Sequence, residues 1–160
     1  MKDRPHVFWK TFLLTAYFMV SFYNFGTLVI ENDVNYSTWL CIPLHAFPSY
    51  HMELEKRLFV VFMIPLIVQG TLAFVLVITR TSRHQTLMIL TALCIVYILA
   101  ESLLVQVPIH AKLNTSPSMD LLEELISTHR LYRLPAEIIL FFLTGILLFR
   151  HLIHVPDKTN

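Results

Sequence analysis

The 160-residue chain is poor in glycine, charge and cysteine. Only 3 residues are glycine, which favours helices joined by few loops. Charged residues make up 14% of the chain, well below the roughly 25% typical of soluble domains. The formal net charge is only +1, and no basic stripe stands out. These shortages exclude a nucleic-acid-binding module and argue against an ordinary soluble domain.

Cysteine chemistry is also improbable on sequence grounds. Cys41 lies in a connecting segment and Cys94 lies inside an apolar run, so we expect no disulfide between them and interpret both as small apolar side chains. The sequence contains no CxxC pair, no glycine-rich phosphate loop and no G-x-S-x-G elbow.

Long hydrophobic runs are what the chain does have, and hydrophobic residues make up 56% of it. A helix needs about 20 apolar residues to cross a bilayer core. We therefore predict an all-α fold, a single integral membrane domain over residues 1–160 that forms a four-helix transmembrane bundle. The predicted spans are residues 8–30, 56–80, 85–108 and 134–154.

The distribution of lysine and arginine predicts the orientation of these spans. Seven such residues fall on one side of the membrane: Lys2, Arg4, Lys10, Arg80, Arg83, Arg150 and Lys158. Five fall on the other side, in much longer loops: Lys56, Arg57, Lys112, Arg130 and Arg133. Positive charge favours the cytoplasmic side, so we expect both termini to be cytoplasmic in a bacterial inner membrane.

Two long connections, residues 31–55 and 109–133, are then predicted to lie together on the outer side. In the second connection, Ser116 and Pro117 are a plausible start for a short amphipathic helix. Leu122, Leu125 and Ile126 fall on one face of that helix at helical spacing. We expect a short helix that lies over the bundle, together with a long outer loop.

Ionisable and polar residues gather in the outer halves of all four predicted spans. Charge at this depth is costly, so such residues are functional candidates; an ion pair such as Glu101 with Arg133 is the structural alternative. The predicted catalytic residues are His51, Glu101, His110 and Arg133. The predicted substrate-binding residues are Glu31, Asn35, Tyr36, Trp39, Tyr50, Arg57, Gln106, His129 and Arg130.

No cofactor is predicted and no residue is assigned to a metal, because no two histidines have a tight ligand spacing. Only His51 and Glu55, four residues apart, have helical ligand spacing. Whether the outer histidines bind a metal stays open at this stage; they are His45, His51, His110 and His129.

Short motifs give the chain a resemblance to a known family. They are N-Y-x-x-W (Asn35 to Trp39), the Tyr50-His51 pair, V-P-I after the third span and an arginine before the fourth. The chain resembles small bacterial four-helix integral membrane proteins that are similar in layout to anthrone-oxygenase-like membrane proteins. The resemblance implies oxidation of an activated aromatic compound without a bound cofactor. The family positions are Asn35, Tyr36, Trp39, Tyr50, His51, Gln106, Pro108, His110, Arg130 and Arg133.

These observations predict an integral membrane enzyme with an outward-facing polar pocket. Histidine and glutamate there suit acid–base chemistry, an oxidation or isomerisation, on a lipophilic small molecule that enters from membrane lipid. The alternative is a non-catalytic accessory or assembly subunit that binds a lipid or a partner helix. A transporter is not expected, because the inner halves of the spans lack polar residues; homo-oligomerisation stays open.

Overall fold

A computed structural model describes the backbone of residues 4–153 and the side chains of residues 8–153. Over that range the regular secondary structure is entirely helical. Four helices are long and apolar enough to cross a membrane: α1 (Phe8–Trp39, its backbone helical from Arg4), α2 (Phe47–Ile78), α3 (Gln85–Thr115) and α4 (Met119–Ile153). This is the predicted all-α arrangement, and it indicates a membrane protein. Lys2, His154 and Lys158, which the predictions used, lie outside the described residues.

Each long helix contains one π-helical turn between two α-helical stretches. The π-helical turns are Glu31–Asn35 in α1, Phe59–Met63 in α2, Ser102–Gln106 in α3 and His129–Arg133 in α4. A π-helical turn closes its hydrogen bonds over five residues instead of four, so it adds one residue to the helix at that point. All four turns lie toward the same end of the bundle.

Proline explains three of these four turns. The second residue after the π-helical turn is proline in α2, α3 and α4: Pro65, Pro108 and Pro135. Proline inside a helix lacks a donor and clashes with the preceding turn, and a π-helical turn just before it makes room for the ring. Hence Pro108 does not end α3 as predicted, and the helix continues to Thr115.

The outer connections are much shorter than predicted, because helix continues through the π-helical turns of α1, α3 and α4 and also covers residues 47–58. Residues 40–46 join α1 to α2, and residues 116–118 join α3 to α4. The predicted loops at 31–55 and 109–133 are therefore wrong, since helix covers most of both. The amphipathic segment Met119–Thr128 is the first part of α4, with Leu122, Leu125 and Ile126 buried. Its N-cap is Ser118, whose Oγ accepts from the Leu121 amide at 3.2 Å, and not Ser116.

The four helices form a ring in which α1 packs on α2, α2 on α3, α3 on α4, and α4 on α1. One apolar core fills the half nearer the termini and includes Leu14, Leu76, Met88 and Leu147. A second core caps the other end and includes Tyr36, Trp39, Phe47, Leu113 and Leu122. We call the end with the π-helical turns the site half and the end with the termini the far half.

The outward surface of the bundle is apolar. Large hydrophobic side chains are exposed along all four helices, among them Met19, Phe74, Leu104, Phe142 and Phe149. Such a continuous exposed apolar surface is unusual for a soluble monomer and suits contact with lipid.

Candidate functional site

A cavity of about 210 Å³ lies between the helices at the level of the π-helical turns. All four helices contribute to its wall. The polar lining residues are Glu31, Glu55, Ser102, Gln106, His110 and Arg133. The apolar lining residues are Leu58, Phe59, Phe62, Met63, Leu66 and Val107. The cavity is thus amphiphilic, and α2 supplies most of its apolar wall.

The π-helical turns bring together side chains that an α-helix would separate. Gln106 Nε2 donates to Glu101 Oε1 at 2.5 Å, although the two residues are five positions apart. In an α-helix that separation turns two side chains about 140° away from each other. Glu31 and Tyr36 are also five apart across the π-helical turn of α1, and both are buried. The irregular turns therefore aim polar groups inward.

A chain of four polar side chains links α2 to α3 beside the cavity. Asn114 Nδ2 donates to Glu55 Oε2 at 2.6 Å, so Asn114 Oδ1 is left to accept from His51 Nδ1, also at 2.6 Å. His51 Nε2 is then unprotonated and accepts from His110 Nδ1 at 2.9 Å. His110 Nε2 has no hydrogen-bond partner among the described residues, and His110 lines the cavity. The order of donors therefore leaves an unprotonated nitrogen, His110 Nε2, at the end of the chain.

Aromatic rings cover this chain. Trp39 is fully buried and packs edge-on against His51 at 5.3 Å and against His110 at 6.1 Å between ring centroids. Phe47 stacks on His51 at 5.1 Å, and the two histidine rings lie nearly parallel, with centroids 5.0 Å apart, in line with the hydrogen bond that joins their edges. Trp39 therefore packs over the two histidines in the interior of the bundle and does not serve as an anchor at the membrane surface.

Arg133 is the centre of a second polar cluster, formed by α1, α3 and α4. Arg133 Nε donates to Glu137 Oε1 at 3.0 Å, and both side chains are largely buried. The arginine also acts electrostatically on Glu31, Tyr36 and Glu101. The ion pair named as the structural alternative, Glu101 with Arg133, is not the one that forms. Glu137 lies one helical turn after the arginine and pairs with it, and Glu101 accepts from Gln106 instead.

Buried polar atoms without a partner concentrate around Arg133. Four are acceptor oxygens: Glu31 Oε2, Glu101 Oε2, Gln106 Oε1 and Glu137 Oε2. Tyr36 Oη, Trp39 Nε1 and both ring nitrogens of His129 also lack partners. Native interiors pair most of their buried polar groups, so such a concentration marks a place where a polar ligand or water completes the structure.

The sequence-predicted site residues divide into two groups. Nine lie around the cavity or the two polar clusters: Glu31, Tyr36, Trp39, His51, Glu101, Gln106, His110, His129 and Arg133. Four do not. Tyr50, Arg57 and Arg130 are exposed on the outer faces of their helices, and Asn35 is half-buried away from the lining. His45 is exposed as well.

Sequence reasoning missed Asn114 as a member of the site and gave Glu55 no role. His51 with Glu55 and His110 with Asn114 are both pairs four residues apart, and the two pairs face each other across α2 and α3. Noting both spacings together would have indicated the chain, but the prediction that α3 ends at Pro108 placed Asn114 in a loop.

Three of these side chains also form a donor set for a metal. One ligand atom each from His51, Glu55 and His110 lies within 4.8 Å of the others. Two imidazole nitrogens and a carboxylate suit a transition metal ion, and Asn114 orients two of the three ligands through its hydrogen bonds. These residues come from two helices, so the tight histidine spacing along the chain that would have predicted a metal is absent.

A smaller cavity of about 30 Å³ lies deeper in the bundle, near Ser21, Asn24, Gln69, Glu137 and Thr144. It has room for about one water molecule. The expectation that the inner halves of the spans lack polar residues is therefore wrong. Hydrogen bonds between helices keep these polar groups away from lipid.

Comparisons with protein-family models, with curated proteins and with solved structures found no match for this chain. The resemblance to anthrone-oxygenase-like membrane proteins therefore stays a prediction. The candidate site stands on its own geometry.

Proposed function

We propose that the chain is an integral membrane enzyme that moves a proton on a lipophilic small molecule. The observation that carries the proposal is the ordered chain from Glu55 through Asn114 and His51 to His110, which ends at the amphiphilic cavity. A base must be oriented and must reach its substrate, and this arrangement provides both.

In the proposed reaction His110 Nε2 takes a proton from the substrate. The imidazolium that forms keeps its Nδ1–H bond to His51, and Glu55 Oε1, 3.9 Å from His110 Nδ1, stabilises its charge. The same nitrogen then returns the proton to a second atom of the substrate. Such an isomerisation balances without any oxidant, whereas the oxidation implied by the family resemblance needs an oxidant such as dioxygen.

Access from the lipid is supported by the apolar wall of the cavity. Phe59 and Val107 line it and are 56% and 45% exposed on the outer surface of the bundle. A lipophilic substrate would enter between α2 and α3, with its polar end toward the polar lining formed by Glu31 and Gln106 and its tail toward the bilayer.

The proposal includes a location. With both termini cytoplasmic in a bacterial inner membrane, the π-helical turns and the cavity lie in the outer half of the bilayer. The supporting lysine and arginine residues within the described part of the chain are Lys10, Arg80, Arg83 and Arg150. The segment at Met119–Thr128 and the connection at residues 40–46 would then form the outer cap.

The test does not require the substrate to be known. The purified protein in nanodiscs is incubated in D2O with a lipid-soluble extract of the source cells, under nitrogen and then in air. When the enzyme removes a proton and returns one from D2O, the substrate gains deuterium. We therefore expect mass spectrometry to show at least one lipophilic compound one mass unit heavier, both under nitrogen and in air.

Two matched variants complete the test. His110→Gln removes the base and should abolish the exchange, whereas Tyr50→Phe changes an exposed side chain next to His51 and should leave it intact. Product formation only in air favours the oxidation. No exchange in any compound, or full exchange by His110→Gln, leaves the accessory-subunit alternative.

A further inference from the structure

The polar cluster around Arg133 has more acid than base; Glu31 and Arg133 in this cluster line the cavity, whereas Glu101 and Glu137 are not among its lining residues. Three carboxyl groups, those of Glu31, Glu101 and Glu137, share a single guanidinium, that of Arg133. Glu31 is 5% and Glu101 is 6% exposed, so water does not surround either group. Carboxylates buried in this way need protons or further positive charge to balance them.

The unpartnered atoms specify the kind of group that is missing. Glu31 Oε2, Glu101 Oε2, Glu137 Oε2 and Gln106 Oε1 all accept hydrogen bonds, and none has a donor among the described residues. Glu31 and Gln106 line the cavity, and Gln106 is only 2% exposed. Gln106 Nε2 is already used on Glu101, which leaves its carbonyl oxygen available. A ligand that brings several donors and a positive charge would complete these four acceptors, although Tyr36 Oη and Trp39 Nε1 are unpartnered as well.

An anionic head group does not fit the same place. Arg133 is the nearest cation, and its Nε is already bound to Glu137 at 3.0 Å. Arg57 and Arg130, which the sequence analysis expected to help, are exposed and lie away from the cavity. An anion would therefore meet two carboxyl groups in the lining, those of Glu31 and Glu55, against one arginine whose Nε already donates to Glu137.

From these observations we infer that the cavity binds the protonated amine of a lipophilic molecule, with the ammonium group among Glu31, Glu101 and Gln106 and the apolar chain along Phe59, Phe62 and Met63. An ammonium group carries one positive charge and up to three donors, so it would offset the excess of carboxyl groups and also donate to the unpartnered oxygens. The apolar wall of α2 suits a hydrocarbon chain, and the cavity volume of about 210 Å³ suits the part of the molecule next to the nitrogen.

The inference rests on the proposed function only where it takes this amine to be the substrate. Binding of the amine can be measured without any turnover. The chain has 2 tryptophans, and a Trp9→Phe background leaves only Trp39, which packs on cavity-lining His110. Dodecylamine, dodecanol and dodecanoate are added at equal mole fraction to protein in phosphatidylcholine nanodiscs at pH 7, and Trp39 fluorescence is followed. We expect saturable binding of dodecylamine at least tenfold tighter than that of the other two.

Glu31→Gln and Glu101→Gln test where the amine binds. Each keeps the side-chain shape but removes a charge, and we expect each to weaken dodecylamine binding about tenfold. Glu53→Gln is the matched control, because Glu53 is an exposed acid on α2 with its own partners Lys56 and Arg57. It should leave binding unchanged.

Dodecylamine binding no tighter than dodecanol binding overturns the inference, as does tight binding that survives both substitutions. If either glutamine variant fails to fold, the head-group comparison on the Trp9→Phe protein decides alone. Tight amine binding without deuterium exchange on any compound refutes the proposed reaction and keeps the inference. Deuterium exchange on a neutral compound without amine binding refutes the inference and keeps the proposed reaction.

Discussion

The two halves of this bundle differ in how they treat buried polar groups. In the far half and the middle, Gln69 accepts from Asn24 at 2.6 Å and donates to Ser21 at 2.9 Å. Ser21 Oγ in turn donates to the Tyr17 carbonyl at 2.7 Å, and Tyr17 and Thr144 share a hydrogen bond. In the site half, Glu31, Glu101, Glu137, Gln106 and His129 all keep unpartnered atoms.

Paired polar groups indicate a structural network around Gln69, whereas unpartnered ones indicate a candidate binding site in the site half. Hydrogen bonds between helices pair the side-chain polar atoms of Gln69 and Ser21 and leave only Asn24 Oδ1 unpartnered in this network, which holds α1 against α2. The site half combines excess acid, unpartnered acceptors and a cavity about seven times larger than the one near Gln69, at about 210 Å³ against about 30 Å³. A ligand that fills the cavity could form hydrogen bonds with the unpartnered buried atoms.

The largest effect should come from Arg133→Met. Its loss leaves Glu31, Glu101 and Glu137 without a nearby cation, and removal of one partner from a buried pair typically costs about 3–5 kcal/mol. We expect the free energy of unfolding in mixed detergent micelles to fall by that amount. Glu137→Gln in the same background should restore part of it, because it removes one uncompensated acid. A loss below about 1 kcal/mol would mean that the carboxyl groups do not depend on the arginine.

A divalent metal should interfere with the histidine chain. His51 Nε2 and His110 Nδ1 are 2.9 Å apart with one proton between them, and Zn²⁺ would take its place with help from Glu55. We expect added Zn²⁺ to slow the deuterium exchange at least tenfold and EDTA to reverse the inhibition. Faster exchange with metal would instead make these three residues a metal centre.

Gln69→Leu should have a smaller effect, confined to stability. It removes the hydrogen bonds to Asn24 and Ser21, and hydrogen bonds between membrane helices contribute about 0.6 kcal/mol each on average. We expect unfolding to become easier by about 1 kcal/mol, with dodecylamine binding unchanged in the fluorescence titration. A change in binding would show that the two halves do not act independently.

The smallest effects are expected at the exposed arginines. Arg57 pairs with Glu53 on the surface of α2, and Arg130 is exposed on α4, although the sequence pattern placed both in the site. We expect Arg57→Ala and Arg130→Ala to retain deuterium exchange within twofold of the unchanged protein. A tenfold loss from either would mean that the substrate extends outside the cavity.

The sequence predicted the four long helices well, because long apolar runs with few charges are a local property. It predicted their ends poorly. Pro108 ordinarily marks the end of a helix, but the π-helical turn Ser102–Gln106 accommodates it and carries α3 on to Thr115. That one difference turns Asn114 from a loop residue into the partner of His51 and Glu55.

The amino-acid pattern alone determined that acids and histidines enter the same level of all four helices, since their positions relative to the apolar runs are set by counting residues. Only the tertiary structure decided which of them meet. Burial and partner choice depend on how the helices pack and on where a π-helical turn rotates them. The π-helical turn of α3 brings Gln106 to Glu101, ordinary helical spacing brings Glu137 to Arg133, and packing leaves Arg57 and Arg130 outside. A shift of one residue rotates a helix face by about 100°, which is enough to place a side chain in the cavity or on the surface.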